Sequence, residues 1–252
     1  MLAIDVGNTY IKAAVIDEGG VSEISYLSTE ECIRKNRYFS LMPLAESGGK
    51  GIVVASVRKQ ALEIIKEEAM ALFGKTPFIV DINTETGIRN LYLSPDTLGI
   101  DRLVTAAAAW HLYRKKGRPV ITVDLGTATT VDLISASGEF AGGIIAPGLQ
   151  SALFGLLENA PELPKVAVEK AERLIGRTTS ECMSSGAVAS QAAMIRGLTE
   201  MIDTQAVVVV TGGMVPMISN WLKESYIIDD NLMFKGLKII YDRNSNCPKN
   251  TI

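Results

Sequence analysis

The sequence predicts a duplicated α/β fold, two domains facing a cleft, and three observations predict it. A strand–turn–strand pattern occurs twice: Leu2–Asp17 reads LAIDVGNTYIKAAVID, and Ile121–Ala136 reads ITVDLGTATTVDLISA. An offset of 119 residues sets Asp5 on Asp124, Gly7 on Gly126, Asn8 on Thr127 and Thr9 on Ala128. Each copy then meets a small-residue turn, Gly19-Gly20 or Ser137-Gly138, and a third strand-like run, Val21–Leu27 or Glu139–Ala146. Glycine-punctuated β-branched runs of this length read as an antiparallel meander. The rest of each half alternates helix with strand, and a meander followed by such alternation argues for a layered α/β domain.

In the first half, Gly51–Val57 reads as a strand. Lys59–Phe73 reads as a helix, because Leu62, Ile65, Ala69 and Leu72 recur on one face. Pro77–Ile82 is a strand, and Leu98–Lys116 a long Ala-rich helix of high intrinsic propensity. In the second half, Leu149–Leu157 and Thr179–Ile202 are helices, Ala206–Thr211 a buried strand, Met214–Glu224 a helix and Tyr226–Ile228 a short strand. Asn231–Tyr241 closes as a helix or mixed element, and polar Arg243–Ile252 is expected to fray. Lys-Lys-Gly-Arg-Pro at 115–119 breaks the long helix, so the domains are expected at 1–117 and 118–252. Glu30–Lys50 carries no recognisable motif.

Composition narrows the function. The chain has 252 residues, 47% of them hydrophobic, ample for a sizeable core. A net charge of −3 supplies no broad basic field, so nucleic acid is not an expected partner. Cys32, Cys182 and Cys247 are odd in number and far apart, which excludes a disulfide framework and fits a reducing cytosol. No basic stretch precedes an apolar run at the start, and no run reaches the ~20 residues of a membrane span, so a cytoplasmic protein without a membrane partner is expected.

The two turns are the strongest chemical signal. In Asp5-Val6-Gly7-Asn8-Thr9, glycine lets backbone amides approach a phosphate closely, and Asn and Thr add donors. Lys12 offers a point charge for phosphate oxygens. Asp5 repels bare phosphate and makes sense through a bridging cation or water. The plain alternative is a hairpin turn in which Asp and Asn satisfy local backbone groups. The second turn, Asp124-Leu125-Gly126-Thr127-Ala128-Thr129-Thr130, is richer in hydroxyls, although strand propensity accounts for Thr129 and Thr130.

Gly142-Gly143 and Pro147-Gly148 are read as bracketing a turn into a helix. Gly212-Gly213 after a buried strand suits either close packing of backbone on a flat ligand or a plain strand-to-helix turn. Leu98-Gly99-Ile100-Asp101-Arg102 opens the Ala-rich helix. Asp101 is favoured there by the helix dipole alone. It is also a candidate acceptor of a hydroxyl proton, with Arg102 a forked donor for a carboxylate. Asn90, Tyr92 and Pro95 lie in the loop before it, a candidate pocket wall. His111, the only histidine, sits in mid-helix with no G-x-S-x-G in the chain and is read as structural. There is no G-x-x-x-x-G-K-[ST] and no G-x-G-x-x-G, so a nucleotide would be held by another architecture.

Taken together, these residues resemble the type III pantothenate kinases of the acetate and sugar kinase, Hsp70 and actin superfamily, over nearly the whole chain. The resemblance rests on D-V-G-N-T-x-x-K from Asp5 to Lys12, on Asn90-Leu91-Tyr92 with Pro95 and Leu98-Gly99-Ile100-Asp101-Arg102, and on Asp124 to Thr130. Gly142-Gly143 to Pro147-Gly148, Ile175-Gly176-Arg177-Thr178-Thr179 and Thr211-Gly212-Gly213 follow in order. It implies a duplicated ribonuclease H-like (actin-like ATPase) fold with a nucleotide cleft. It also implies ATP-dependent phosphorylation of pantothenate, the first step of coenzyme A biosynthesis.

The resemblance makes Asp101 the catalytic base. Asp5, Val6, Gly7, Asn8, Thr9, Tyr10, Ile11, Lys12 and Thr127 would bind ATP with Mg2+, and Asp124 would ligate a monovalent cation, K+ or NH4+. Tyr92, Gly99, Ile100, Asp101 and Arg102 would bind pantothenate, and Thr179 would reach the substrate of the neighbouring subunit of a homodimer. The run Ala55-Ser56-Val57-Arg58 lacks the proline that often ends it in the family. Two alternatives stand beside this reading: another small-molecule kinase of the superfamily, and a non-catalytic transcriptional accessory relative.

Overall fold

The first apolar run, Leu2–Val6, forms strand β1, and each of its residues is buried. A computed structural model describes residues 1–37, 51–171 and 173–245 of the chain. They divide into two compact units, Met1–His111 with Asn231–Ile252, and Leu112–Asp230.

In the first unit β1 pairs antiparallel with β2 (Tyr10–Asp17), in a register that sets Asp5 opposite Lys12. The expected third strand is two short pieces, β3 (Gly20–Val21) and β4 (Ser25–Ser28), each pairing with β2. Strands β5 (Ile52–Ser56) and β6 (Phe78–Val80) add in parallel on the other side of β1, giving the order β3-β2-β1-β5-β6. Helix α2 spans Lys59–Phe73 as expected, and Gly74 ends it in the left-handed conformation. Leu2, Ile4, Val6, Ile11, Ile52 and Val54 form one core with Ala61, Ile65 and Ala69 of α2. Truncating such a side chain to alanine costs about 2–5 kcal/mol.

Helix α1 (Thr29–Lys35) was not expected. It follows a capping box in which Ser28 Oγ accepts from the Glu31 amide, with Glu30 and Glu31 in the first turn and Arg34 and Lys35 in the last. The two-residue strand β7 (Arg89–Asn90) and a 3-10 turn at Pro95–Thr97 precede α3 (Ile100–Tyr113). Helix α3 is shorter at both ends than the expected Leu98–Lys116, and Arg102 through Ala109 are all buried.

The second unit repeats the pattern. Strands β8 (Val120–Leu125), β9 (Ala128–Ile134) and β10 (Glu139–Pro147) form the antiparallel meander. Strands β11 (Val207–Thr211) and β12 (Ile227–Ile228) add in parallel beyond β8. The order β10-β9-β8-β11-β12 is therefore the order of the first sheet, and duplication extends to topology. Gly142 and Gly143 lie inside β10 rather than at a turn; Gly142 has φ +114° and sits where the register with β9 shifts. Helices α4 (Leu149–Asn159) and α5 (Thr179–Ile202) cover one face, with Val123, Leu125, Val131, Val188, Ile195 and Val210 in the core. The expected helix at Met214–Glu224 is only α6 (Val215–Ile218) and a 3-10 turn at Ser219–Trp221, because Trp221 and Leu222 turn onto that core. Tyr113 donates to Asp229 Oδ2 at 2.7 Å, and burial together with that bond pushes its phenol up to about 12.

One boundary differs from expectation. Helix α7 (Leu232–Ser245), which continues past Arg243, belongs with the first unit and not with the second, and the division between units falls at His111/Leu112 instead of 117/118. The reason is packing. Its buried residues Leu232, Phe234, Leu237 and Ile240 need an apolar sheet face, and α7 lies on β1, β5 and β6. Gly236 lets it press on α3, where a Cβ would lie 2.6 Å from the Val104 carbonyl. The tail from 246 onward, with Cys247, and the segment 38–50 lie outside the described residues.

Candidate active site

The first turn hangs between β1 and β2. Gly7 N–H donates to the Tyr10 carbonyl at 3.0 Å, closing it, while Asn8, Thr9 and Tyr10 are exposed at its tip. Val6 and Ile11 point into the core and anchor its two ends. The turn is also held from outside its own hairpin. The buried Thr29 hydroxyl, at the start of α1, donates to the Gly7 carbonyl at 2.9 Å, and the Thr29 amide donates to the Thr9 carbonyl at 3.0 Å. Asp5 is nearly buried, and Lys12 Nζ lies 3.6 Å from its Oδ2, so the cross-strand register brings the two charges together. Tyr10 packs edge-on against Tyr26, with ring centroids 6.4 Å apart.

The second turn is built the same way and is one residue tighter. Gly126 N–H donates to the Ala128 carbonyl at 3.0 Å. Thr127 stands exposed at the tip, and its carbonyl accepts from Gly148 N–H at 3.1 Å and from Ser151 Oγ at 2.7 Å, both at the start of α4. Gly148 must be glycine here, since a Cβ would lie 2.6 Å from the Thr127 carbonyl oxygen. Thr129 is turned away: it is buried and donates to Gln191 Oε1 at 3.0 Å, while Gln191 Nε2 donates to the Pro147 carbonyl at 2.6 Å. Asp124 is half-buried at the end of β8, in register with Thr130 of β9 and Thr211 of β11. Gly212 has φ +106°, and a Cβ there would lie 2.5 Å from Asp124 Oδ1, so the backbone at 212 packs directly against that carboxylate only because it has no side chain.

The third cluster is in the first unit. Asp101 occupies the first turn of α3, and its Oδ1 accepts from the Arg102 amide at 2.8 Å. Gly99 gives that carboxylate room, because a Cβ on Gly99 would overlap Asp101 Oδ1. Arg102 is buried to 7% exposure, unusual for a guanidinium, and lies 5.7 Å from the Tyr92 ring centroid. Asn90 fixes the loop by accepting from the Tyr92 amide at 2.9 Å. Tyr92, Gly99, Ile100, Asp101 and Arg102 are thus gathered in one place.

The remaining expected residues separate from these. Thr179 is the exposed first residue of α5, after the Thr178 cap that accepts from the Glu181 amide. It lines an apolar hollow between α4 and α5, with Leu153, Leu156, Met183 and Ala187. His111 lies 3.3 Å from the Thr86 carbonyl and is structural. The Cys32 thiol is buried and pushed up to about 11 by that burial, which excludes it as a nucleophile. The described residues contain no group of three or more His, Cys, Asp or Glu that could hold a metal ion. None of their helices is long and apolar enough to cross a membrane. Sequence reasoning missed Thr29 and Ser151; the S-x-x-E box at Ser28–Glu31 was the signal that placed Thr29 at a helix start.

Comparison with known proteins gives these turns a context. A protein from Agathobacter rectalis named type III pantothenate kinase is 32% identical over 257 aligned residues, covering 97% of this chain and 98% of that protein. A solved structure from Campylobacter jejuni, described as a Baf family transcriptional activator, superposes with TM-score 0.61 at 20% identity, covering 98% of this chain and all of the other. The activator of 2-hydroxyisocaproyl-CoA dehydratase from Clostridium difficile, solved with bound ADPNP, superposes with TM-score 0.51 at 11% identity over 100% of this chain and 99% of that one. At those identities the likeness is one of fold, and that fold is the duplicated actin-like ATPase architecture. The family description "Type III pantothenate kinase" matches residues 1–201, and with it the chain belongs to the type III pantothenate kinase family.

Proposed function

We propose that the chain transfers the γ-phosphoryl group of ATP to the primary hydroxyl of pantothenate, with Asp101 as the base. The family supports the reaction itself, the first step of coenzyme A biosynthesis, and supports ATP with a divalent metal as its phosphoryl donor. The observation that carries the assignment of residues is the cluster at the head of α3. A carboxylate stands beside a buried guanidinium that lies over a tyrosine ring at 5.7 Å from its centroid, in a loop locked by Asn90. A buried arginine suits a substrate carboxylate, and pantothenate carries one. The hydroxyl oxygen forms the bond to the γ-phosphorus as the bond to the bridging oxygen breaks and ADP leaves; Asp101 takes the hydroxyl proton late in that step. Tyr92, Gly99 and Ile100 shape the pantothenate pocket around this pair.

Asp5 to Lys12 and Thr127 bind the nucleotide in this reading. The exposed tips carry Asn8, Thr9 and Thr127, and Lys12, held by Asp5 at 3.6 Å, places a positive charge beside the first turn. Asp124 suits a monovalent cation. It offers a carboxylate at the end of β8, and the described residues gather no group of three or more acids, histidines or cysteines around it. Potassium or ammonium is the cation of this reading, while magnesium arrives with the triphosphate. When bound, the monovalent cation supplies positive charge near the phosphates. A homodimer is supported by the apolar hollow of Leu153, Leu156, Met183 and Ala187 beside Thr179, which a second copy would cover.

A coupled assay of ADP release tests the assignment. Turnover is expected with pantothenate and not with a hexose, and faster in potassium than in sodium. Turnover on the hexose with none on pantothenate would overturn it.

A further inference from the structure

We infer that Thr29 and Ser151 are positioning residues for nucleotide binding, each clamping a carbonyl of one phosphate turn so that the turn faces its ligand with donors. The inference rests on the reading that these turns bind ATP.

The two clamps are the same device made twice. In the first unit a hydroxyl and an amide from the start of α1, both of Thr29, take the Gly7 and Thr9 carbonyls at 2.9 and 3.0 Å. In the second unit a hydroxyl and an amide from the start of α4, Ser151 Oγ and Gly148 N–H, take the Thr127 carbonyl at 2.7 and 3.1 Å. Gly148 stands at the same 119-residue offset from Thr29 that relates Asp124 to Asp5. The duplicated unit therefore runs from the strand through the turn to the helix that holds it. The two copies differ in which residue brings the hydroxyl and in the carbonyls held, Gly7 and Thr9 in the first turn and Thr127 alone in the tighter second one.

The chemistry explains why both halves have it. A carbonyl oxygen carries partial negative charge, and one facing a triphosphate repels it. In a three-residue turn each peptide has only a few allowed orientations, so fixing the carbonyls fixes the amides and side chains between them. Thr29 is fully buried, so its hydroxyl donates to Gly7 without competition from water. Losing that donor leaves the Gly7 carbonyl under-satisfied and frees it to swing toward the ligand.

Four variants of the full chain test this, read as KM for ATP and for pantothenate and as kcat. Thr29→Val should raise KM for ATP roughly tenfold, the worth of one well-placed hydrogen bond. It should leave KM for pantothenate within about twofold, and Thr29→Ser should recover most of the loss. A purely structural threonine would instead lower stability without an ATP-selective change. Folded Thr29→Val with KM for ATP within about twofold of the parent overturns the inference. Should Thr29→Val not fold, Ser151→Ala decides: a rise of roughly fivefold supports the clamp, and no rise overturns it. Lys12→Ala separates the two levels. If it leaves KM for ATP unchanged, the turn does not bind ATP and both readings fall. If it raises that KM while the Thr29 and Ser151 variants do not, only the clamp falls.

Discussion

Replacing Gly212 by alanine puts the geometry of the second unit to a quantitative test, because its neighbour Gly213 provides an internal control. At Gly212 φ is +106°, a conformation that costs an L-residue about 1–3 kcal/mol. A Cβ there would lie 2.5 Å from Asp124 Oδ1, 2.5 Å from Leu125 N and 2.6 Å from Leu125 O. Contact for carbon begins near ~3.5 Å, so each overlap is close to ~1 Å. Two of the three atoms are backbone of β8, which is pinned between β9 and β11 with Asp124 in register with Thr130 and Thr211. The strand has nowhere to move, and overpacking of this kind adds about 1–3 kcal/mol. The total, about 2–6 kcal/mol, lowers the melting midpoint by roughly 4–24 °C for a chain of this size. A Cβ at Gly213 would meet nothing within 4 Å, so Gly213→Ala should melt within about 2 °C of the parent. Differential scanning calorimetry on the three proteins reads the difference. Equal midpoints for the two variants would refute the claim that residue 212 is held against Asp124.

Two further outcomes are expected. Asp101→Asn keeps an oxygen for the Arg102 amide and so keeps its fold, but should cut kcat by about 10²–10⁴, the range for a lost general base, in steady-state assay. Tyr113→Phe should cost about 1 kcal/mol near neutral pH in urea titration, by removing the bond to Asp229. The sign of its pH dependence follows from the raised phenol, 10.0 ordinarily and about 12 when folded. That contribution is complete below about pH 10 and is lost as pH climbs toward 12, so parent and variant should converge in alkali.

Much of the architecture was legible because it rests on local signals. Lys59–Phe73 and Thr179–Ile202 form helices over the ranges their sequences indicate, the first through its apolar spacing and a terminal Gly74. The strand–turn–strand repeat was legible because Asp, Gly and β-branched residues mark it twice. What was not legible is tertiary. Nothing local in Leu232–Ser245 tells which sheet its apolar stripe will cover, and Gly236 acquires meaning only against Val104. Met214–Glu224 has helical spacing, yet the core draws in Trp221 and Leu222 and ends α6 after four residues. At the candidate site, the residue types of Asp101, Arg102 and Tyr92 were readable, while the approach of Arg102 to the Tyr92 ring and its 7% exposure were not. Thr129 shows the opposite case. It looked like part of a hydroxyl cluster and is instead occupied by Gln191, three strands and helices later in the chain.

The placement of α7 bears on how this chain folds as it is made. The sheet begun by Leu2–Val6 lacks one covering layer until residues 232–245 exist, and the whole of Leu112–Asp230 is synthesised in between. The middle of the chain is continuous and can close on itself while the apolar back of the earliest strands still waits on the ribosome for its cover. The first turn to be translated thus sits in the last unit to be completed.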